Sequence, residues 1–188
     1  MMCPYQGILD FWFEGIDDQA PIDKKSKPFN KWFHASLEFD QEISKRFKEV
    51  LLKAQTGAFD SWKEKPRGRL ALVILFDQFT RNIYRGSHHV YDHDQAALEI
   101  VTEAIQLKMD RALGLIERVF LYMPLMHSEE MKSQILSVEC FSALVEESKQ
   151  LYPANTHYYI YHFNYAQKFF NELKKHGHFP HRKKHSKT

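Results

Sequence analysis

Apolar and polar positions follow a helical period along most of the chain, and one stretch concentrates both kinds. In GRLALVILFDQFTRNIYRG, residues 68–86, positions 70–76 are apolar on every side. Leu70, Val73, Ile74, Asp77 and Arg81 recur at i, i+3, i+4, i+7 and i+11, with Leu72, Leu75, Phe76, Phe79 and Ile83 on the other side, and this spacing predicts a helix. A helix that is apolar all round belongs in the middle of a domain. It is far too short to cross a bilayer, which takes roughly 20 residues. The second half carries Asp77, Gln78, Arg81, Asn82 and Arg85, with Asp77 and Arg81 one turn apart on the face that Leu70 and Ile74 turn inward.

The same periodicity predicts the other elements. An aromatic helix covers residues 4–13. An amphipathic helix starts at Asp40 as N-cap, runs through Ile43, Phe47, Val50, Leu51 and Ala54, and stops at Gly57. Asp94 is placed to cap a helix over 95–109, and a further helix over 112–122 stops before Pro124. Ser128 caps the next, with Glu129 and Glu130 in its first turn, where the helix dipole favours negative charge. An unusually aromatic helix over 154–175 ends at Gly177. About six or seven helices with short connections predict antiparallel neighbours in an all-α, single-domain fold.

Composition supports this picture. The 188 residues are 44% apolar and 14% aromatic, with seven Gly and seven Pro, which fits a packed chain able to bury roughly two thirds of its unfolded surface. Two cysteines, Cys3 and Cys140, stand outside any metal-ligand spacing, so a reduced, cytoplasmic setting is expected. The opening MMCPYQGILDFWFEG has no basic leader and carries Asp10 and Glu14, which argues against a signal peptide and a membrane anchor. Charge is uneven. Residues 174–188 hold six Lys/Arg and no acid, leaving 20 bases against 24 acids before them. The expected division is therefore a helical domain over 1–175 and a basic tail over 176–188, read as solvated and not as a nucleic-acid arm.

No GxGxxG, P-loop, GxSxG or HExxH occurs, so nucleotide, α/β-hydrolase and zincin chemistry lack support and no cofactor is expected. The loop bearing His88, His89, Asp92, His93 and Asp94 has metal-ligand residue types, but a polar loop supplies neither fixed geometry nor a second shell, and no metal site is assigned to it. His127, in MPLMHSEE between Pro124 and Ser128, lies just outside a predicted helix N-terminus. There it is placed to move a proton or to meet an anion beside exposed N–H groups, or else to hydrogen-bond within the turn. For Asp77, Gln78, Arg81, Asn82 and Arg85 two readings stand side by side. One is a buried, mutually paired network; the other is a cleft in which Arg81 and Arg85 hold a carboxylate or phosphate. FPHR at 179–182 either returns over the central helix or belongs to the tail.

These segments together carry a resemblance. WFHASLEFDQEISKRF (32–47), GRLALVILFDQFTRNIYRG (68–86), Asp94, MPLMHSEE (123–130) and FPHR (179–182) resemble the largely bacterial family known as domain of unknown function 924, over nearly the whole chain. The resemblance implies a tetratricopeptide-like stack of antiparallel helix pairs with no established activity. Its motif residues fall on Asp77, Gln78, Arg81, Asn82, Arg85, Gly86, His127, Ser128, Glu129, His181 and Arg182, which draws FPHR into the same constellation and leaves His88, His89 and His93 outside it. The chain departs from the pattern where Phe169 stands in place of a histidine, and after FPHR, where the usual LGR-type continuation is missing.

The expected function is binding of a small anionic ligand through Asp77, Gln78, Arg81, Asn82, Arg85 and Arg182. Hydrolase-like proton transfer would fall to His127 or His181, with Glu129 as a further candidate. The alternative is a non-enzymatic module that docks a protein partner on a helical stack.

Overall fold

The helix running from Pro66 to Ile83 passes through the middle of the molecule, and the other elements are laid around it. The computed structural model describes residues 5–34 and 36–182. Cys3, Pro4 and the tail lysines Lys183, Lys184 and Lys187 lie outside that range. In chain order come α1 (Gln6–Phe13), α2 (Lys27–Phe33) and α3 (Leu37–Gln55), then a 3-10 turn at Asp60–Glu64. The central helix follows as α4 (Pro66–Val73), a π-helical turn (Ile74–Phe79) and α5 (Thr80–Ile83). Next are α6 (Asp94–Gln106), α7 (Leu115–His127), α8 (Met131–Leu151) and α9 (Thr156–His176). The described residues contain no strand, and none of their helices is long and apolar enough to cross a membrane. The fold is all-α.

Why the central helix sits where it does follows from its side chains. Every residue from 68 to 80 is buried, which leaves no face for water and requires neighbours all round: α3, α6, α7 and the Asp60–Glu64 turn. Pro66 starts it, at a position that needs no N–H. Gly68 allows the preceding turn to press against it, since a Cβ there would lie 2.2 Å from the Trp62 carbonyl oxygen. Past Val73 the turn widens. The Thr80 N–H bonds the Leu75 carbonyl five residues back, and the Thr80 hydroxyl donates to the same oxygen at 3.2 Å. Such π turns recur at functional sites because they re-aim the side chains they carry; this one carries Asp77 and Gln78.

The aromatic load of α1 and α2 packs on α7. Phe120 meets the rings of Trp12, Phe13 and Trp32 at centroid separations of 5.5, 5.6 and 4.9 Å, all edge-on. The Trp32 indole N–H donates to the Trp12 carbonyl at 2.9 Å. The start of α7 is capped from far away, with Asp18 accepting the N–H groups of Leu115 and Ile116 at 2.8 and 2.7 Å.

Five predicted helix boundaries are corrected, and the corrections change the roles of several polar residues. Pro124 does not stop α7, which continues through it to His127. The end of that helix is closed by Gln134 of α8, fully buried, whose amide donates to the carbonyls of Leu125, Met126 and Ser128 at 3.2, 2.8 and 2.6 Å. Ser128 is therefore the C-cap of α7 and not the N-cap of α8, which begins at Met131 after Glu130. His127 accordingly stands in the last turn of a helix, not at an N-terminus. Asp40 does not cap α3, because Ser36 does, accepting the Phe39 N–H at 3.4 Å. Asp94 is the first residue of α6 with His93 at the cap position, and that helix ends at Gln106. Both aspartates are thereby released for arginines.

Gly68→Ala should lower stability in urea unfolding by about 1–3 kcal/mol, because the added methyl meets backbone that cannot rotate away. An unchanged midpoint would mean that the Asp60–Glu64 turn shifts without penalty.

Candidate functional site

Asp77, carried inward by the π turn, is completely buried. One oxygen accepts from His127 Nδ1 at 2.7 Å and from Arg81 Nη1 at 3.0 Å; the other accepts from the Gln78 amide at 2.6 Å. Burial by itself would raise the Asp77 pKa. The charges of Arg81 and His127, with hydrogen bonds from His127 and Gln78, outweigh it and bring the pKa from 3.8 down to about 2. An ionised carboxylate only accepts, so the His127 proton in this contact sits on Nδ1, and Nε2 is the ring nitrogen left for anything else.

Arg81 extends the network. Its second guanidinium arm pairs with Asp94 at 2.9 Å, while Nη1 also donates to the Asp77 carbonyl at 3.0 Å. Asp94 in turn accepts from Arg182 at 2.7 Å, and the same Arg182 nitrogen donates to the His127 carbonyl at 2.6 Å. The C-terminal segment is thus tied to both sides of the site. Its aromatic neighbours hold it there. Phe179 is fully buried, its ring 5.1 Å from that of Phe169, and its N–H donates to the Glu129 carboxylate at 2.5 Å. The Arg182 guanidinium lies over Tyr91 at 4.4 Å. His181 stacks on Phe179 at 5.6 Å; burial, then the Arg182 charge, lower its pKa below 6.5.

A second pair completes the frame. Arg85 grips Asp40 of α3 through Nε and Nη2, and the Asn82 amide donates to the same carboxylate at 2.7 Å. Burial opposes ionisation of Asp40, but Arg85 and Asn82 keep its pKa below the ordinary value. In front of these groups opens a cleft of about 300 Å³, whose walls include Arg81, Arg85, His127, His181, Arg182 and Phe169 and, among the described residues, no carboxylate. Behind it, sharing Arg81, His127 and Phe169, lies a second pocket of about 250 Å³ lined by Phe33, Met123, Met126, Tyr161 and neighbours.

The residues expected from sequence are brought together, in three different positions. Arg81, Arg85, His127, His181 and Arg182 reach the cleft. Gln78 holds Asp77 and lines the second pocket. Asp77, Asn82 and Glu129 stand behind, orienting His127 and Arg81, Asp40, and Phe179 respectively. Residues 179–182 belong to the wall of this cleft. The histidine-rich loop is spent on local contacts: His89 Nδ1 on Asp92 at 2.6 Å, His93 on Gln55, and the His88 ring against His89 at 4.1 Å. No group of three or more metal-ligating side chains gathers among the described residues.

Tyr91 was missed, and Asp40 and Asp94 were read as caps. Asp40 had a signal, since it shares the i, i+3, i+7 stripe of Ile43 and Phe47, a position that buries a charge and so demands a partner. Tyr91 had none.

The architecture defines a class: an all-helical domain with an Asp–His–Arg network between its central helix and the end of α7, and an arginine-lined cleft in front of it. The chain belongs to the family described as bacterial protein of unknown function (DUF924), whose model matches residues 8–186. Among solved structures it is similar to a protein of unknown function from Agrobacterium tumefaciens, 29% identical, with a TM-score of 0.73 over 97% of this chain and 89% of that one. A search of the curated proteins finds no match.

The depressed Asp77 pKa fixes a pH dependence. Its contribution to stability is present above the unfolded value near 3.8 and is lost as pH falls through about 2. The stability gap between the protein and Asp77→Asn in urea unfolding should have its full value from about pH 5 upward and narrow by about 2 kcal/mol toward pH 2. A gap independent of pH would place Asp77 outside the ion pair.

Proposed function

We propose that the protein binds a small anionic ligand in the cleft between the end of the central helix and the returned C-terminal segment. The observation that carries this reading is the placement of Arg81, Arg85 and Arg182. Each is paired with a carboxylate, and all three meet at a cleft whose described lining residues include no Asp or Glu. Such fixed donors bind without first having to order themselves. Arg85 spends Nε and Nη2 on Asp40, leaving Nη1 for a ligand. His127 adds a proton-transfer group in the same wall, with its tautomer set by Asp77. Hydrolase-like chemistry on the bound anion is the extension of this reading, with Nε2 as the atom that takes or gives the proton.

Docking of a protein partner has less behind it. The large exposed apolar side chains are spread over several elements, with Leu37 and Leu52 on α3, Met131, Ile135 and Leu151 on α8, and Ile160 and Tyr165 on α9. Scattered apolar residues are ordinary surface.

Calorimetric titration with inorganic phosphate and with acetate tests the proposal. One or both should bind with Kd at or below about 1 mM. Arg85→Met should weaken that binding at least about tenfold, while stability changes by about 1 kcal/mol or less because Arg85 is itself half exposed and Asp40 keeps the Asn82 hydrogen bond. Absence of binding by the unmutated protein at about 10 mM of either anion overturns it.

A further inference from the structure

The second pocket defines what the anion is attached to. Resting on the proposed anion cleft, we infer that the ligand is an amphipathic organic acid: a carboxylate held at Arg81, Arg85 and Arg182, with an apolar tail lodged in the pocket between α2, α7 and α9. The two spaces adjoin: Arg81, His127 and Phe169 line both, so a molecule whose head meets the arginines is held by side chains that also border the apolar pocket.

The walls of that pocket suit a hydrocarbon. Phe33, Met123, Met126, Tyr161 and Phe169 supply apolar and aromatic surface, and the two methionines have the adaptable side chains that accommodate tails of differing shape. His162 also lines it, and burial alone drives its pKa to about 3, so it is neutral at ordinary pH. Arg81, at the shared wall, is the only Arg or Lys among the described residues that line it, and no Asp or Glu is among them. The polarity changes across one wall, from a cleft rich in guanidinium groups to a pocket without a second charge. An inorganic anion or a short dicarboxylate would leave that pocket unused. With a volume of about 250 Å³ against roughly 30 Å³ for each water, it takes a tail of about six to eight carbons.

Charge selects the head. Arg81, Arg85 and Arg182 are already matched by Asp77, Asp94 and Asp40. The surplus available to a ligand is therefore small, and a singly charged head suits it better than a doubly charged one. The planar carboxylate also matches the forked donors of a guanidinium.

The experiment is a calorimetric titration of the full chain with straight-chain carboxylates from acetate to decanoate, beside octyl phosphate and octylamine. Affinity should climb about fourfold per methylene, the equivalent of about 0.8 kcal/mol for each buried CH₂, and level off near octanoate. Octylamine should not compete. Met126→Phe, which fills the pocket, should weaken octanoate at least about tenfold and leave acetate unchanged. The acetate result reports that the arginine cleft of the variant is folded. Tyr165→Ala, at a 41% exposed position on the rim, takes away apolar wall without altering the core and should reduce the gain per methylene. Equal affinity across the series, with acetate still bound, overturns the tail assignment and leaves the anion site standing. Octyl phosphate binding about tenfold tighter than octanoate overturns the singly charged head. If neither acetate nor octanoate binds, the tail inference fails together with the anion cleft.

Discussion

A fully buried carboxylate is the constraint on which the rest of this structure depends. Asp77 cannot sit at the centre of an apolar helix unless charge and hydrogen bonds reach it from several sides. They come from its own helix through Arg81 and Gln78, and from the end of α7 through His127. Satisfying one group therefore fixes the register of α7 against the central helix and sets the tautomer of the histidine. The π turn belongs to the same solution, since it is the segment that carries Asp77 and Gln78 and its widened geometry is held by Thr80 on the Leu75 carbonyl. Stability and site geometry share a single set of contacts.

From that centre the network runs outward through residues far apart in sequence. Arg81 leads to Asp94, and Asp94 to Arg182, 88 residues further on. Arg182 returns to the His127 carbonyl, so that the loop closes on the turn where it began. The part-buried Arg182–Asp94 pair is not the only hold on the C-terminal segment. Phe179, buried against Phe169 with its N–H on Glu129, supplies the rest. Phe169 stands where the family resemblance leads one to expect a histidine, and its ring faces both His127 and His181 at 6.2 and 6.3 Å. In this chain that wall of the cleft is apolar, which takes a titratable group away from the junction between the cleft and the pocket behind it.

Much of this was legible from residues alone, and the failures have a common cause. The helical class, the burial of the central element and the Asp77–Arg81 pair all follow from period and spacing, which are properties of a segment by itself. The end of α7 was misplaced because what lets the helix run on past Pro124 to His127 lies in Gln134, whose amide reaches the last carbonyls from another helix. Asp40 and Asp94 look like caps in sequence, and aspartate does favour caps. Arg85, Asn82, Arg81 and Arg182 outbid the local backbone for them because a buried or half-buried ion pair is the stronger partner. The π turn left no trace, since one extra residue per turn in a run buried on all sides changes no apolar pattern. Sequence named the cationic half of the cleft; the carboxylates that aim it, and the apolar pocket behind it, exist only in three dimensions.

Arg81 shows why architecture and function cannot be sorted by asking which residues are essential. It pairs with two carboxylates, donates to a carbonyl, and forms part of the wall of both the cleft and the pocket. Removing it leaves Asp77 with fewer partners in a buried site, so a large loss of stability follows whether or not a ligand ever binds. Arg85 is the cleaner reporter. It lies at the solvent edge, its partner Asp40 keeps the Asn82 hydrogen bond without it, and it contributes to the cleft but not to the pocket. A network built this way stiffens the groups nearest the buried carboxylate and leaves the outer ones replaceable. Proton transfer of the kind proposed would need fixed geometry at His127, while substitutions at the rim would change the proposed cleft without unfolding the protein.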